Sequence, residues 1–226
     1  MASQTPVTQQ ICRKPEDYQV HIPEPAFELY LKNIEDCCLV DREGQTFPFR
    51  NLHQDQKVII IFVRHFLCYT CKEYVEDLAK IPRSSLKDAD VRLVVIGQCS
   101  YHHIEAFCLV TGYHHEIYVD PDREIYKALG MKQGETTSTP AKSPHVKSGI
   151  LTGSFKSFCR AMKSPVFDFQ GEPSQQGGAM IVGPGKVVHF LHLDRNRLDH
   201  VPINVLLQTA GVQTIDFQNR PRVIEV

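Results

Sequence analysis

The 226-residue sequence has no long apolar run: the longest, Val58 to Val63, is six residues, far short of the 18 or more that a membrane-crossing helix needs. It also lacks net charge. Lysine and arginine number 25 against 26 aspartates and glutamates, a formal charge of −1, so no bulk field draws nucleic acid or anionic lipid to the surface. Nucleic-acid and membrane partners are not expected. No G-x-x-x-x-G-K-[ST], G-x-G-x-x-G or G-x-S-x-G occurs, which leaves nucleotide binding and serine hydrolysis without support. No internal repeat points to a solenoid or propeller. The first residues, Met1-Ala-Ser-Gln-Thr-Pro6, hold neither a basic nor an apolar secretory region, so a reducing, cytoplasmic location is expected. Eight cysteines are under half the share of roughly 8–10% that marks a disulfide scaffold, and the thiols read as free or reactive.

What is present is 42% hydrophobic residues, enough for one substantial core. Pro6, Pro15, Pro23 and Pro25 mark residues 1–25 as a mobile tail, and 213–226 read as a C-terminal tail around a domain of residues 26–212. Asp36 to Phe49 turns at Glu43-Gly44 between short apolar stretches, an N-terminal β-hairpin. Lys57-Val-Ile-Ile-Ile-Phe-Val-Arg64 is continuous and β-branched, as a strand covered on both faces is, and is expected at the sheet centre. Val91 to Gly97 and Glu116 to Asp120 repeat that pattern. Between them the period changes to helical over Cys68–Lys80, stopped by Pro82, and over Tyr101–Thr111, ended by Gly112; Arg123–Leu129, closed by Gly130, follows. The alternation gives an α/β class. Residues 131–165 are an insertion, aperiodic to Gly149 and helical over Ser154–Met162. Gly177 to His192 forms a second hairpin around Gly183-Pro184-Gly185, and a last helix runs from Pro202 to Ala210 before Gly211.

The chemically informative segment is Cys68-Tyr-Thr-Cys71, a C-x-x-C at the junction of a buried strand and a helix. Unpaired N–H groups and the positive end of the helix dipole favour thiolate over thiol there. Arg64, His65 and Lys72 are near in sequence and are candidates to add positive charge. Cys68 and Cys71 stand one helical turn apart, so one can attack an oxidant while the other resolves the product as a disulfide. Two other readings compete: a zinc site, which lacks a second ligand pair, and two thiols that merely line the core. No metal or cofactor is expected.

The stretch Val58 to Lys80, with Val91 to Gly97, Tyr118-Val-Asp-Pro121, Gln175-Gln-Gly-Gly178 and Asp199-His-Val-Pro202, resembles the peroxiredoxin-like 2 family, a thioredoxin-fold group in the alkyl hydroperoxide reductase and thiol-specific antioxidant branch. The resemblance covers residues from about 30 to 210. It implies a thioredoxin-like, mixed central sheet flanked by helices, and thiol-based redox activity. The site departs from two better-known patterns. Against the peroxiredoxin P-x-x-x-T-x-x-C, aligned on Cys71, Arg64 occupies the proline slot and Cys68 the threonine slot. Against thioredoxin W-C-G-P-C-K, Gly177-Gly178 stands where a cis-proline faces the disulfide. Helix-end exposure favours Cys68 as the attacking thiol, whereas the peroxiredoxin register favours Cys71.

Cys99 follows the second buried strand and is a candidate resolving thiol, against a small buried hydrophobe. Of adjacent Cys37 and Cys38, one is expected in the core; Cys108 and Cys159 read as structural and Cys12 as incidental. His189 and His192 fall on opposite strand faces. Asp194-Arg-Asn-Arg-Leu-Asp-His200 reads as a solvated loop in which Arg195 and Arg197 could hold an anion. The expected function is reduction of a small peroxide or a protein disulfide through Cys68 and Cys71, with electrons from an external thiol system. The alternative is a regulatory protein of the same fold that acts through protein partners with little turnover.

Overall fold

A computed structural model describes residues 31–134, 143–146 and 171–217. Seven strands, β1 (Cys38–Val40), β2 (Thr46–Pro48), β3 (Lys57–Phe62), β4 (Val91–Gly97), β5 (Glu116–Val119), β6 (Gly178–Val182) and β7 (Val188–Leu193), form one sheet in the order β2-β1-β5-β4-β3-β6-β7. β3 pairs parallel with β4, and β4 with β5; the other pairings are antiparallel. The sheet is mixed and flanked by helices, an α/β fold as the resemblance implies. Strand alternation sends Ile59 and Ile61 to one side and Val58, Ile60 and Phe62 to the other, into two separate cores. This is why β3 reads as an unbroken apolar run.

Helices α1 (Tyr69–Leu78), α2 (Arg83–Asp88), α3 (Ile104–Thr111) and α5 (Ile203–Ala210) cover the first face through side chains such as Val75, Leu86, Phe107 and Leu206. On the other face, α4 (Glu124–Ala128) buries Ile125 and Tyr126 against Phe62 and Ile96. Both hairpins form where the sequence places them, and Gly112 and Gly211 close α3 and α5 in left-handed conformations. Pro82 does more than stop α1. It is the N-cap of α2, an element that the periodicity misses, because the fixed φ of proline suits a helix start as well as a helix end. Tyr101–His103 is a 3₁₀ turn that leads into α3.

The packed chain continues past residue 212: Ile215 is buried, and its N–H and C=O bond the side-chain amide of Asn204. The tail 1–25, the helix expected over 154–162 and most of the 131–165 insertion lie outside the described residues. Within that insertion, buried His145 meets Asp77 of α1 through Nδ1 at 2.9 Å and accepts the Ile203 N–H through Nε2 at 3.1 Å.

Two contacts fix the carboxyl end of β3, where the site lies. The Tyr126 hydroxyl donates to the carbonyls of Val63 and Ile96, each at 2.8 Å, and holds β3 and β4 at the point where they part. Gly177, just before β6, packs so closely that a Cβ there would stand 2.1 Å from the Phe62 carbonyl oxygen. Only glycine fits.

Candidate functional site

Beyond Phe62 the chain bends through residues 63–68, and Cys68 is the N-cap of α1, its carbonyl accepting the first helical N–H from Lys72 at 3.0 Å. The Cys68 side chain does not cap the backbone. Its sulfur instead meets Arg64 Nη1 at 3.6 Å and the Thr70 hydroxyl at 3.0 Å. Cys71, in the first helical turn, accepts the Arg64 backbone N–H at 3.4 Å. Arg64 thus touches both sulfurs. Its Nε donates to the Gln175 carbonyl at 3.0 Å and its Nη2 to the Pro173 carbonyl at 2.7 Å. Gln98 braces that segment by donating to the Arg64 and Glu172 carbonyls and accepting the Glu172 N–H.

The two thiols titrate in opposite directions. Hydrogen bonding from Cys71, with His65, Arg64 and Thr70 behind it, holds Cys68 well below the usual thiol range despite its burial. Burial, and then the neighbouring Cys68, pushes Cys71 well above that range. Cys68 is therefore the more readily ionised of the two thiols, and Cys71 the one that holds its proton. The exposure expected of a helix-end thiol is absent: Cys68 is 5% exposed and Cys71 0%. Neighbouring groups, not contact with water, lower the Cys68 pKa.

Of the other sequence candidates, Arg64 is buried on the sulfurs and half-buried His65 adds positive potential at Cys68. Lys72 is on the same turn, but its ammonium pairs with Glu76. Cys99 is fully buried in the apolar cluster that also holds Cys68 and Cys71. Cys37 is half-buried and packs against the core on the α4 side of the sheet, Cys38 is exposed, and Cys108 on α3 is half-buried against the other core. Cys12 and Cys159 lie outside the described residues. Among those residues no cluster of His, Cys, Asp or Glu is placed to hold a metal.

Sequence reasoning missed three things. Thr70 lies inside the C-x-x-C, and its hydroxyl is the signal that was there to be read. Gly177 stands out only once Phe62 is seen against it. The loop from Asp194 to His200 is not simply solvated: Asp194, Asp199 and His200 are buried. Arg195 bonds Asp199 at 3.1 Å, which explains how that acid survives burial. His192 and exposed His189 do fall on opposite faces. His200 stacks on Tyr74 of α1 at 4.8 Å; burial holds its pKa down to about 4, while the Cys68 charge acts the other way.

The family model described as AhpC/TSA antioxidant enzyme matches residues 77–196, a stretch that begins just past the two cysteines. The chain is 60% identical over 193 residues to human peroxiredoxin-like 2C, covering 85% of each chain. It is 56% identical over 226 residues to peroxiredoxin-like 2C of Takifugu rubripes, covering 98% of each. The chain belongs to the peroxiredoxin-like 2 family. Among solved structures it superposes on a peroxiredoxin 6 of Arenicola marina with a TM-score of 0.52 at 13% identity, covering 79% of this chain and 70% of that one. That likeness concerns the fold alone. Peroxiredoxin-like 2 membership supports a function of thiol redox type.

Proposed function

We propose that this protein is a thiol-dependent reductase in which Cys68 attacks and Cys71 resolves, with a small hydroperoxide as oxidant. The observation that carries the reading is the Cys68 sulfur at the N-cap of α1, held by Arg64 and Thr70, with Cys71 one turn on. The thiolate displaces alkoxide or hydroxide from the peroxide and becomes a sulfenic acid; Cys71 then attacks that sulfur, releasing water and forming the disulfide. An external thiol returns the two electrons. The burial of both sulfurs favours a small oxidant over a folded disulfide partner.

After one equivalent of hydroperoxide, peptide mass spectrometry is expected to show a Cys68–Cys71 disulfide. Cys71→Ser should stop at a sulfenic acid on Cys68, and Cys68→Ser should not react. Recovery of both thiols free, under conditions that oxidise a peroxiredoxin control, overturns the proposal. The same burial favours a second reading, a low-turnover regulator of partner proteins. In that case partner binding in a pull-down survives the double Cys68→Ser, Cys71→Ser change, and neither protein consumes peroxide.

A further inference from the structure

Arg64 reaches both sulfurs: its Nη1 lies 3.6 Å from Cys68, and its backbone N–H donates to Cys71 at 3.4 Å. The two contacts leave from opposite ends of the residue, so both hold only if its backbone and its guanidinium are fixed together. An arginine side chain otherwise loses much rotamer freedom on being held in one place. Gln98, which follows β4 and is fully buried, links the two ends. Its Nε2 donates to the Arg64 carbonyl and, at 3.1 Å, to the Glu172 carbonyl, while its Oε1 accepts the Glu172 N–H at 3.0 Å. Both amide hydrogens and the amide oxygen are thus used.

The segment that Gln98 grips is also the one that Arg64 donates to, through the Pro173 carbonyl at 2.7 Å and the Gln175 carbonyl at 3.0 Å. A ring closes: Gln98 holds the Arg64 backbone on one side and, on the other, the chain that holds the Arg64 guanidinium. Its outer wall is tight. A Cβ on Gly171, where φ is +106°, would stand 2.6 Å from the His65 Cβ and 3.3 Å from the Gln98 Cγ. We propose that Gln98 is a positioning residue of the dithiol: its amide ties the 63–68 bend to the 171–175 segment, and so keeps the Arg64 guanidinium on Cys68 and the Arg64 N–H on Cys71. Gln98 acts on the sulfurs through Arg64. This role rests on the dithiol reading above.

The pH profile of Cys68 alkylation tests it. Pre-reduced protein is treated with iodoacetamide across a range of pH, and Cys68 labelling is read by peptide mass spectrometry; the midpoint reports ionisation and the plateau reports access. Gln98→Met keeps the side-chain length and removes the amide. The midpoint is expected to move up, with a rate just below neutral pH about 10-fold lower than in wild type. In the Arg64→Gln background the same change should cost less than about 2-fold, because the residue through which it acts is gone. An unmoved midpoint, whatever the plateau does, overturns the role, since a side chain that merely fills space alters access and stability alone. A full further loss in Arg64→Gln also overturns it. Should Gln98→Met not fold, Gly171→Ala decides: its methyl group presses the segment away from Gln98, and the midpoint must rise in wild type and stay in place in Arg64→Gln. A midpoint that does neither overturns the role. No oxidant enters these profiles, so failure of hydroperoxide to give the Cys68–Cys71 disulfide removes the reductase reading and leaves Gln98 as the positioning residue. A wild-type midpoint at the ordinary thiol value of about 8.5 overturns both.

Discussion

At the amino ends of β4 and β5, Arg92 lies in an open groove of about 610 Å³, where its guanidinium grips Glu116 at 2.9 and 2.5 Å and Tyr118 donates to the same carboxylate. At the carboxyl end of β3, Arg64 is buried, and its guanidinium donates to the carbonyls of Gln175 and Pro173 and to the Cys68 sulfur. The first arginine is neutralised by a full charge in a half-buried, bidentate pair. The second is buried, held by backbone carbonyls and aimed at a sulfur. The two arginines differ in what they are aimed at, a carboxylate at one end and a cysteine at the other.

The comparison breaks hardest at Gly177. Gly177→Ala puts a methyl group 2.1 Å from a backbone oxygen, so β6 must move away from β3, and a loss of about 3 kcal/mol or more is expected in urea unfolding. Stability within about 0.5 kcal/mol of wild type would show that this end is not as tightly set as the geometry states. Next in size, Arg64→Gln should lower the rate of Cys68 alkylation just below neutral pH by about 10- to 100-fold, since a charge-assisted hydrogen bond is worth about 1.5–3 kcal/mol. Arg92→Gln should leave that rate unchanged. A fall of similar size in both would mean that the two ends are not electrically distinct.

The sequence shows one of these ends well. The β-branched run of β3, the change of period at Cys68 and the three-residue spacing to Cys71 are local signals, and the structure puts a strand, an N-cap and one helical turn there. What encloses the thiols is not local. Arg64 is held by Gln175, more than 100 residues on, and the polar string from Asp194 to His200 looks like surface until β7 carries it against β6 and the Phe62 carbonyl. Composition assigns such a loop to solvent because charged residues usually stay there. Burial by contact with a distant glycine leaves no periodic trace. The groove end is illegible for the opposite reason: Arg92 and Glu116 occupy ordinary strand positions, and only the register of β4 beside β5 makes them partners.

Two histidines, half-buried His115 and buried His200, sharpen the contrast further. His115 at the groove and His200 near the dithiol are both held down to about 4, burial being the largest cause for each. A histidine whose folded pKa is depressed stabilises the fold above its ordinary pKa of about 6.5, and that stability is lost as pH falls toward about 4. His115→Gln and His200→Gln should each flatten the acid side of the stability–pH curve. The two part on oxidation. Cys68 raises the pKa of His200 and is not among the causes acting on His115, so disulfide formation should lower the His200 titration seen by NMR and leave His115 in place. Movement of both, or of His115 alone, would put the sulfur charge elsewhere.

The smallest expected effect isolates the uncharged part of the dithiol end. Thr70 is buried with its hydroxyl 3.0 Å from the Cys68 sulfur, and against a thiolate that hydroxyl must be the donor. Thr70→Val removes the donor while keeping the branched shape, so Arg64 and the helix start still favour the anion and only one neutral hydrogen bond, about 0.5–1.5 kcal/mol, is lost. Alkylation of Cys68 should slow by about 2- to 10-fold and recover in Thr70→Ser. If Thr70→Val instead matches the loss seen in Arg64→Gln, the hydroxyl rather than the guanidinium sets the charge on Cys68, and the contrast between the two arginines would no longer explain why only one end holds a reactive sulfur.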